Sequence, residues 1–250
     1  MGGAGIGSWV IGASRGTSKS MNKAFADRRQ AGRILAQHLR SYAGRADVIV
    51  LGLPRGGVPV ADEVAQALGA PLDIFLVRKL GAPGHEELAM GAIASGDVVV
   101  INEEVVRVLK ISPEEVRAEV ENEREELIRR EALYRDGRPA PGVEGKTVIL
   151  IDDGLATGST MRAAVMALRQ QQPARIVVAV PVGAASTCAE LDEIADECVC
   201  AIAPEDFRAV GLWYDDFAQT GDDEVCDLLT RAARGKTSPP NITPPSVGQE

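Results

Sequence analysis

A chain of 250 residues, with 45% hydrophobic, 25% charged and only 4% aromatic residues, is long enough to bury one sizeable core and carry a small appendage. Its 27 basic and 36 acidic side chains give a net charge of −9, which argues against a general nucleic-acid binder. Gly 26 and Pro 14 are too few for a low-complexity chain, and no apolar run of about 18 residues is present, so neither a fibrous nor a membrane-embedded protein is expected.

Residues 1–20 are rich in Gly and Ser, carry no basic leader before a short apolar run, and read as a flexible N-terminal extension. Gly12-Ala13-Ser14-Arg15-Gly16 fits the nucleophile-elbow pattern, but that turn needs strands before its serine and none are expected there. Between Asn22 and Tyr42, Phe25, Ala31, Leu35, Leu39 and Tyr42 recur at helical spacing. Val48–Leu51 is too short an apolar run for a helix and reads as a buried strand. A turn at Leu53-Pro54-Arg55-Gly56-Gly57, a helix over Val58–Leu68 and a strand over Leu72–Val77 complete a βαβ unit.

Further strands are expected at Val98–Ile101, Thr147–Ile151, Arg175–Val182 and Cys198–Ile202, with helices at 161–171 and 186–196. One segment interrupts the alternation. Ser112 as N-cap, Pro113 at the first helical position and Glu115 three residues after the cap open a long charged helix over 113–134. Its pairs Glu125–Arg129, Glu126–Arg130 and Glu131–Arg135 should each contribute about 0.2–0.5 kcal/mol, and its sparse apolar residues predict a mostly solvated helix. From Gly235 to Glu250, four prolines among Ser, Thr and Asn predict a disordered tail.

The alternation predicts an α/β domain over 21–234, a mostly parallel sheet flanked by helices, with ligands beyond the carboxyl ends of its strands. Chemistry is therefore sought in the loops after Leu51, Val77 and Ile151. The four cysteines, Cys188, Cys198, Cys200 and Cys226, offer neither a C-x-x-C pair nor a histidine partner at zinc-site spacing. They read as reduced, structural thiols of a cytoplasmic protein.

The loop after Ile151 carries the strongest signal. Val148-Ile149-Leu150-Ile151 leads into Asp152-Asp153, then Gly154-Leu155-Ala156-Thr157-Gly158-Ser159-Thr160, and a helix begins near Met161. A helix N-terminus offers unpaired N–H groups and partial positive charge, Gly158 permits close approach, and Thr157, Ser159 and Thr160 add hydroxyls, which together suit a phosphate. Two adjacent carboxylates at a buried strand end repel each other, and a sugar diol or metal-bound waters would offset that cost. No Gly-x4-Gly-Lys-Ser/Thr and no strand-ending Gly-x-Gly-x-x-Gly occurs, so P-loop and Rossmann dehydrogenase readings fail.

This stretch closely resembles the phosphoribosyl pyrophosphate (PRPP) signature of type I phosphoribosyltransferases. The resemblance implies that Asp152 and Asp153 hold the ribose hydroxyls near Mg²⁺, through ribose or water, and that Ala156, Thr157, Gly158, Ser159 and Thr160 wrap the 5-phosphate. Pro54-Arg55-Gly56-Gly57 looks like the family's pyrophosphate loop, which sometimes contains a non-proline cis peptide. Arg78-Lys79-Leu80-Gly81-Ala82-Pro83-Gly84-His85-Glu86-Glu87 falls where members carry a flexible closing loop, so Arg55, Arg78 and Lys79 are the implied catalytic cations. The helix at 113–134 would be an insertion or part of the family's variable hood, and the PRGGVPVA and VRKLGAPG stretches look like a bacterial subgroup whose acceptors are poorly defined.

The implied activity is Mg²⁺-dependent transfer of ribose 5-phosphate from PRPP to a small-molecule acceptor, by a homodimer and without nucleic-acid or membrane partners. The alternative is a regulatory protein that senses PRPP or nucleotides without turnover. For the acceptor, Trp213 and Tyr214 lie in the aromatic segment Phe207–Phe217, where they either stack on a planar base or close the core or an interface. In relatives using 6-oxopurines the position before the loop's Thr-Gly is usually an aspartate; here it is Ala156.

Overall fold

The computed structural model describes residues 24–235; the expected extension, the Gly12–Gly16 pattern and all of the expected tail but Gly235 lie outside the described residues. The elements run α1 (Arg28–His38), β1 (Val48–Gly52), α2 (Gly57–Leu68), β2 (Leu72–Ile74), β3 (Val77–Ala82), β4 (His85–Ala94), β5 (Val98–Ile101), α3 (Glu103–Leu109) and α4 (Pro113–Arg135). They continue with β6 (Thr147–Ile151), α5 (Ser159–Gln170), β7 (Arg175–Val182), α6 (Ala185–Ile194), β8 (Glu197–Ile202) and α7 (Asp222–Gly235).

Five strands form a wholly parallel sheet in the order β2-β1-β6-β7-β8. Every residue of β1 and β6 is buried, as expected of strands covered on both faces. One face packs Ile49, Leu51, Val148 and Leu150 against Met161, Val165 and Leu168 of α5 and against α6. The other packs Val48, Val50, Ile149 and Ile151 against Leu35 and Leu39 from the α1 region and Val60, Val64 and Leu68 of α2. The period-two alternation thus splits each strand between two cores.

The run Leu72–Val77 is not one strand. Residues Leu72–Ile74 join the parallel sheet, whereas β3 starts a separate antiparallel sheet, β3-β4-β5, which also takes Val98–Ile101 away from the parallel sheet. The segment expected to be a flexible loop after Val77 is a hairpin with its turn at Pro83-Gly84. Its many Ala and Gly residues have low strand propensity, so the pattern of the sequence does not announce it.

The expected N-terminal helix is shortened to α1 because Asp27 caps it, accepting from the Gln30 N–H at 2.6 Å. Before it, Phe25 lies beside Tyr214 as an isolated parallel bridge.

Helix α4 has the full capping box, Ser112 with Glu115. Glu126–Arg130 and Glu131–Arg135 pair as expected, but Arg129 turns to Glu126 rather than to Glu125. Most of the helix is solvated, as expected, but its C-terminal half is anchored: Leu127, Tyr134 and Arg135 are buried, and Arg135 bonds Asp73 and the Ile74 carbonyl where the two sheets part. Helix α7, whose Val225, Leu228 and Leu229 fill the same core, was not among the expected helices, although its acidic first turn and helical spacing carry the signal. Cys188 and Cys200 form a disulfide, correcting the expectation of four free thiols; α6 lies over β8 and brings residues twelve apart together.

Candidate active site

Strand β6 delivers Asp152 and Asp153 to the carboxyl edge of the parallel sheet, beside the end of β1, which carries Leu53–Gly57. The Leu53 N–H donates to the Ile151 carbonyl at 2.8 Å and ties the two loops together. Their approach leaves no room for side chains. A Cβ on Gly57 would lie 2.6 Å from the Ile151 oxygen and 2.9 Å from Asp152 Cα, and one on Gly56 would lie 2.0 Å from Asp153 Oδ2. Gly57→Ala should therefore cost about 1–3 kcal/mol, read as a lower thermal midpoint, because backbone atoms are what must yield. An unchanged midpoint would contradict this contact.

Asp152 Oδ1 accepts from the Asp153 N–H at 2.8 Å. Burial and the neighbouring Asp153 push the Asp152 carboxyl well above the usual carboxylate range. Burial also pushes Asp153 up, opposed by Arg28. Arg28 Nε donates to Asp153 Oδ2 at 2.8 Å, its Nη1 donates to the Ala218 carbonyl at 2.7 Å, and its guanidinium lies 4.0 Å from the centre of the Phe217 ring. The Tyr214 hydroxyl donates to the Asp153 carbonyl at 2.6 Å. Segment 213–218 and the start of α1 thus hold Asp153 by side chain and backbone. Arg28 is a site residue that the sequence reading missed; it lies 125 positions from Asp153, and no local motif links them.

The expected phosphate loop follows. Leu155 donates to Val182 O at 2.9 Å, Ala184 donates to Leu155 O at 3.0 Å, and Thr187 Oγ1 donates to Ala156 O at 2.8 Å. Arg162 Nη2 donates to Thr157 O at 2.9 Å. These carbonyls are turned back into the protein, while Ala156, Thr157, Ser159 and Thr160 are exposed. Gly158 is the N-cap of α5 with φ +67°, a left-handed conformation that glycine adopts at no steric cost.

Helices α1, α3 and α4 are capped by Asp27, Asn102 and Ser112, but α2 and α5 begin at Gly56 and Gly158 with no side-chain cap and no acid in the first turn. Helix α6 also starts without a side-chain cap, at Ala184. Neighbouring strands β1 and β6 therefore each lead into an uncapped helix N-terminus, whose orphan N–H groups and partial positive charge suit an anion. The half-buried carboxylate pair lies at the junction of the two loops.

The remaining expected residues are placed less uniformly. The Pro54–Arg55 peptide is cis. The Arg55 side chain points into a cleft of about 120 Å³ shared with Arg129, Arg130 and Tyr134, with its nearest carboxylate on Asp222 at 3.8 Å. Arg78, on β3, donates to Glu123 of α4, and Lys79 is exposed. Trp213 is half-buried, and Tyr214 is fully buried between Phe25 and Phe217. The Tyr214 ring therefore has no face to offer a base; it closes the core, the other of its two expected roles. A cleft of about 220 Å³ instead opens beside Arg28, with Asp27, Asp216, Gln219 and Glu224 in its wall.

Residues 22–216 match the model of the phosphoribosyl transferase domain. The chain belongs to this family. Two Mycobacterium tuberculosis proteins, from strains CDC 1551 and H37Rv and both provisionally named phosphoribosyl transferases, are 47% identical over 212 residues, covering 85% of this chain and 48% of theirs. The chain thus spans about half the length of these relatives. The crystal structure of the protein TT1426 from Thermus thermophilus is 43% identical, with a TM-score of 0.75 over 83% of this chain and 98% of that one. The parallel sheet flanked by helices is the fold of type I phosphoribosyltransferases, as the loop signature implied.

Proposed function

We propose that this phosphoribosyltransferase domain transfers ribose 5-phosphate from PRPP to a small-molecule acceptor and releases pyrophosphate. The observation that carries this reading is the pair of uncapped helix N-termini, on α2 and α5, flanking Asp152 and Asp153. A donor with a phosphate at one end, a diphosphate at the other and a diol between them matches that order of groups. The 5-phosphate sits on Ala156–Thr160, the ribose hydroxyls on the carboxylates, and the diphosphate on Pro54–Gly57.

Asp152 and Asp153 suit Mg²⁺ as hard oxygen donors, and their mutual repulsion in a half-buried site would be relieved by a cation. Held by Asp152 and Asp153, Mg²⁺ would supply positive charge beside the ribose and the leaving diphosphate. Arg28 fixes Asp153 in place for the ribose. The bond from the ribose anomeric carbon to pyrophosphate breaks with its electron pair leaving on oxygen, and the acceptor lone pair forms the new bond. The protein's task is to position the two reactants and stabilise the departing charge. The cleft beside Arg28 is the acceptor's place, and its polar wall favours a hydrogen-bonding acceptor over one held by stacking. The domain acts as a cytoplasmic homodimer, the usual state of similar proteins.

Arg55 and Lys79 act on the leaving group more than on ground-state binding, so Arg55→Ala and Lys79→Ala should lower kcat by about 10²-fold or more while PRPP affinity changes far less. For Lys79 this requires the β3–β4 hairpin to approach the site. Equal loss in both parameters, or none, would remove these residues from the leaving group. The reading itself is tested by offering nucleobases and small amines with PRPP and Mg²⁺ and following pyrophosphate release. Release with at least one acceptor is expected. PRPP binding with no release from any would favour the sensing role instead.

A further inference from the structure

Behind the phosphate loop, α6 and β8 bring three sulfurs together. Cys188 on α6 and Cys198 and Cys200 on β8 have sulfur atoms all within 4.8 Å of one another. Cys188 and Cys200 are joined as a disulfide, and Cys198 Sγ lies 3.9 Å from Cys200 Sγ. Residues two apart on a strand share a face, so both β8 cysteines point toward α6. We propose that, once the disulfide is reduced, these three thiols form a binding site for one thiophilic divalent cation of the Zn²⁺ class.

Geometry favours this. Two thiolates on one Zn²⁺, at about 2.3 Å each in a tetrahedral arrangement, stand about 3.8 Å apart. Cys198 and Cys200 already have that separation. Opening the disulfide frees Cys188 Sγ to retreat from bonding contact with Cys200 to the same spacing. The three sulfurs leave the fourth position to water; Asp192, whose carboxylate accepts from the Cys198 N–H at 3.0 Å, is not one of the clustered donors. Cys198 and Cys200 are only half-buried, which gives a path for the ion. The spacing hid the site because one ligand comes from a helix and two from a C-x-C strand pair.

The chemistry balances without any group the protein lacks except a dithiol reductant. The dithiol gives two electrons and two protons to the Cys188–Cys200 bond and closes into its own disulfide. The cation then displaces the thiol protons to solvent. The site also lies under the phosphate loop. Gly183 packs against the sulfurs of Cys188 and Cys200 and bridges to Leu155, while Thr187, next to Cys188, holds the Ala156 carbonyl. A bound cation would take over from the disulfide in fastening α6 to β8 there.

The test uses the full chain, reduced with a dithiol and desalted without oxygen, beside an oxidised sample. Zn²⁺ is counted by elemental analysis after gel filtration, and Cd²⁺ is titrated while its thiolate charge-transfer absorption is followed. About one ion per chain is expected in the reduced sample and none in the oxidised one, with band intensity matching three thiolates. Cys198→Ser should weaken binding at least tenfold, and Cys226→Ser should leave it unchanged. No retained metal in the reduced parent, equal binding by the oxidised parent, a band of fewer than three thiolates, or full affinity in Cys198→Ser would each overturn the site. The parent's band intensity decides the matter even if Cys198→Ser does not fold.

Discussion

Asp152→Asn should make the protein more stable and its hold on PRPP weaker. The Asp152 carboxyl is pushed up by burial and by Asp153, so its folded value exceeds that of the unfolded chain, about 3.9. Between those two values the native state holds more protons than the unfolded state, and stability falls as pH rises through that window. The penalty is fully present above the folded value and disappears in acid, below the unfolded value. Asparagine removes the charge and keeps an Oδ1 to accept from the Asp153 N–H. A gain of about 0.5–2 kcal/mol is expected, in the range of other relieved functional sites. Thermal unfolding of parent and variant across pH checks it: the gap should be widest at the high end and close as pH falls. The same substitution removes a charged partner of the ribose, at a cost of about 1.5–3 kcal/mol in PRPP binding. A less stable variant, or one that binds PRPP like the parent, would contradict the assignment of Asp152.

Hypoxanthine, guanine and xanthine should be poor acceptors. At the position where 6-oxopurine-using relatives usually carry an aspartate to take or share the N7 proton, this chain has Ala156, which is exposed at the mouth of the phosphate loop and has no proton acceptor. Loss of a general base typically costs about 10²–10⁴ in rate, enough to decide a competition between bases at equal concentration. Adenine is permitted by this argument, not required. Efficient transfer to guanine or hypoxanthine would contradict it and would shift attention to Asp216, in the wall of the cleft beside Arg28.

The parts of the fold that could be read from sequence were those with strong local patterns. The fully apolar strands β1 and β6, the capping box of α4 and the loop Asp152–Thr160 each carry their signal within about a dozen residues. What escaped reading depends on distant packing. The β3–β4 hairpin is written in Ala and Gly, and Leu72–Val77 divides between two sheets at a point where Arg135, sixty-two positions away from Asp73, bonds. The site shows the same contrast. The loops Pro54–Gly57 and Asp152–Thr160 were legible as loops at strand ends, and the structure sets them side by side. Arg28, the role of Tyr214 in the core and the meeting of Cys188 with the β8 cysteines were not, because each arises from segments far apart in the chain.

Calorimetry of PRPP with Mg²⁺ measures most directly whether the loop from Asp152 to Thr160 holds PRPP. The parent should bind. Asp153→Asn and Thr157→Val, each shown to be folded, should bind more weakly by about 1.5–3 kcal/mol, roughly ten- to a hundredfold, because each loses a charge-assisted contact to the ligand. Variants that bind PRPP as tightly as the parent would contradict the account.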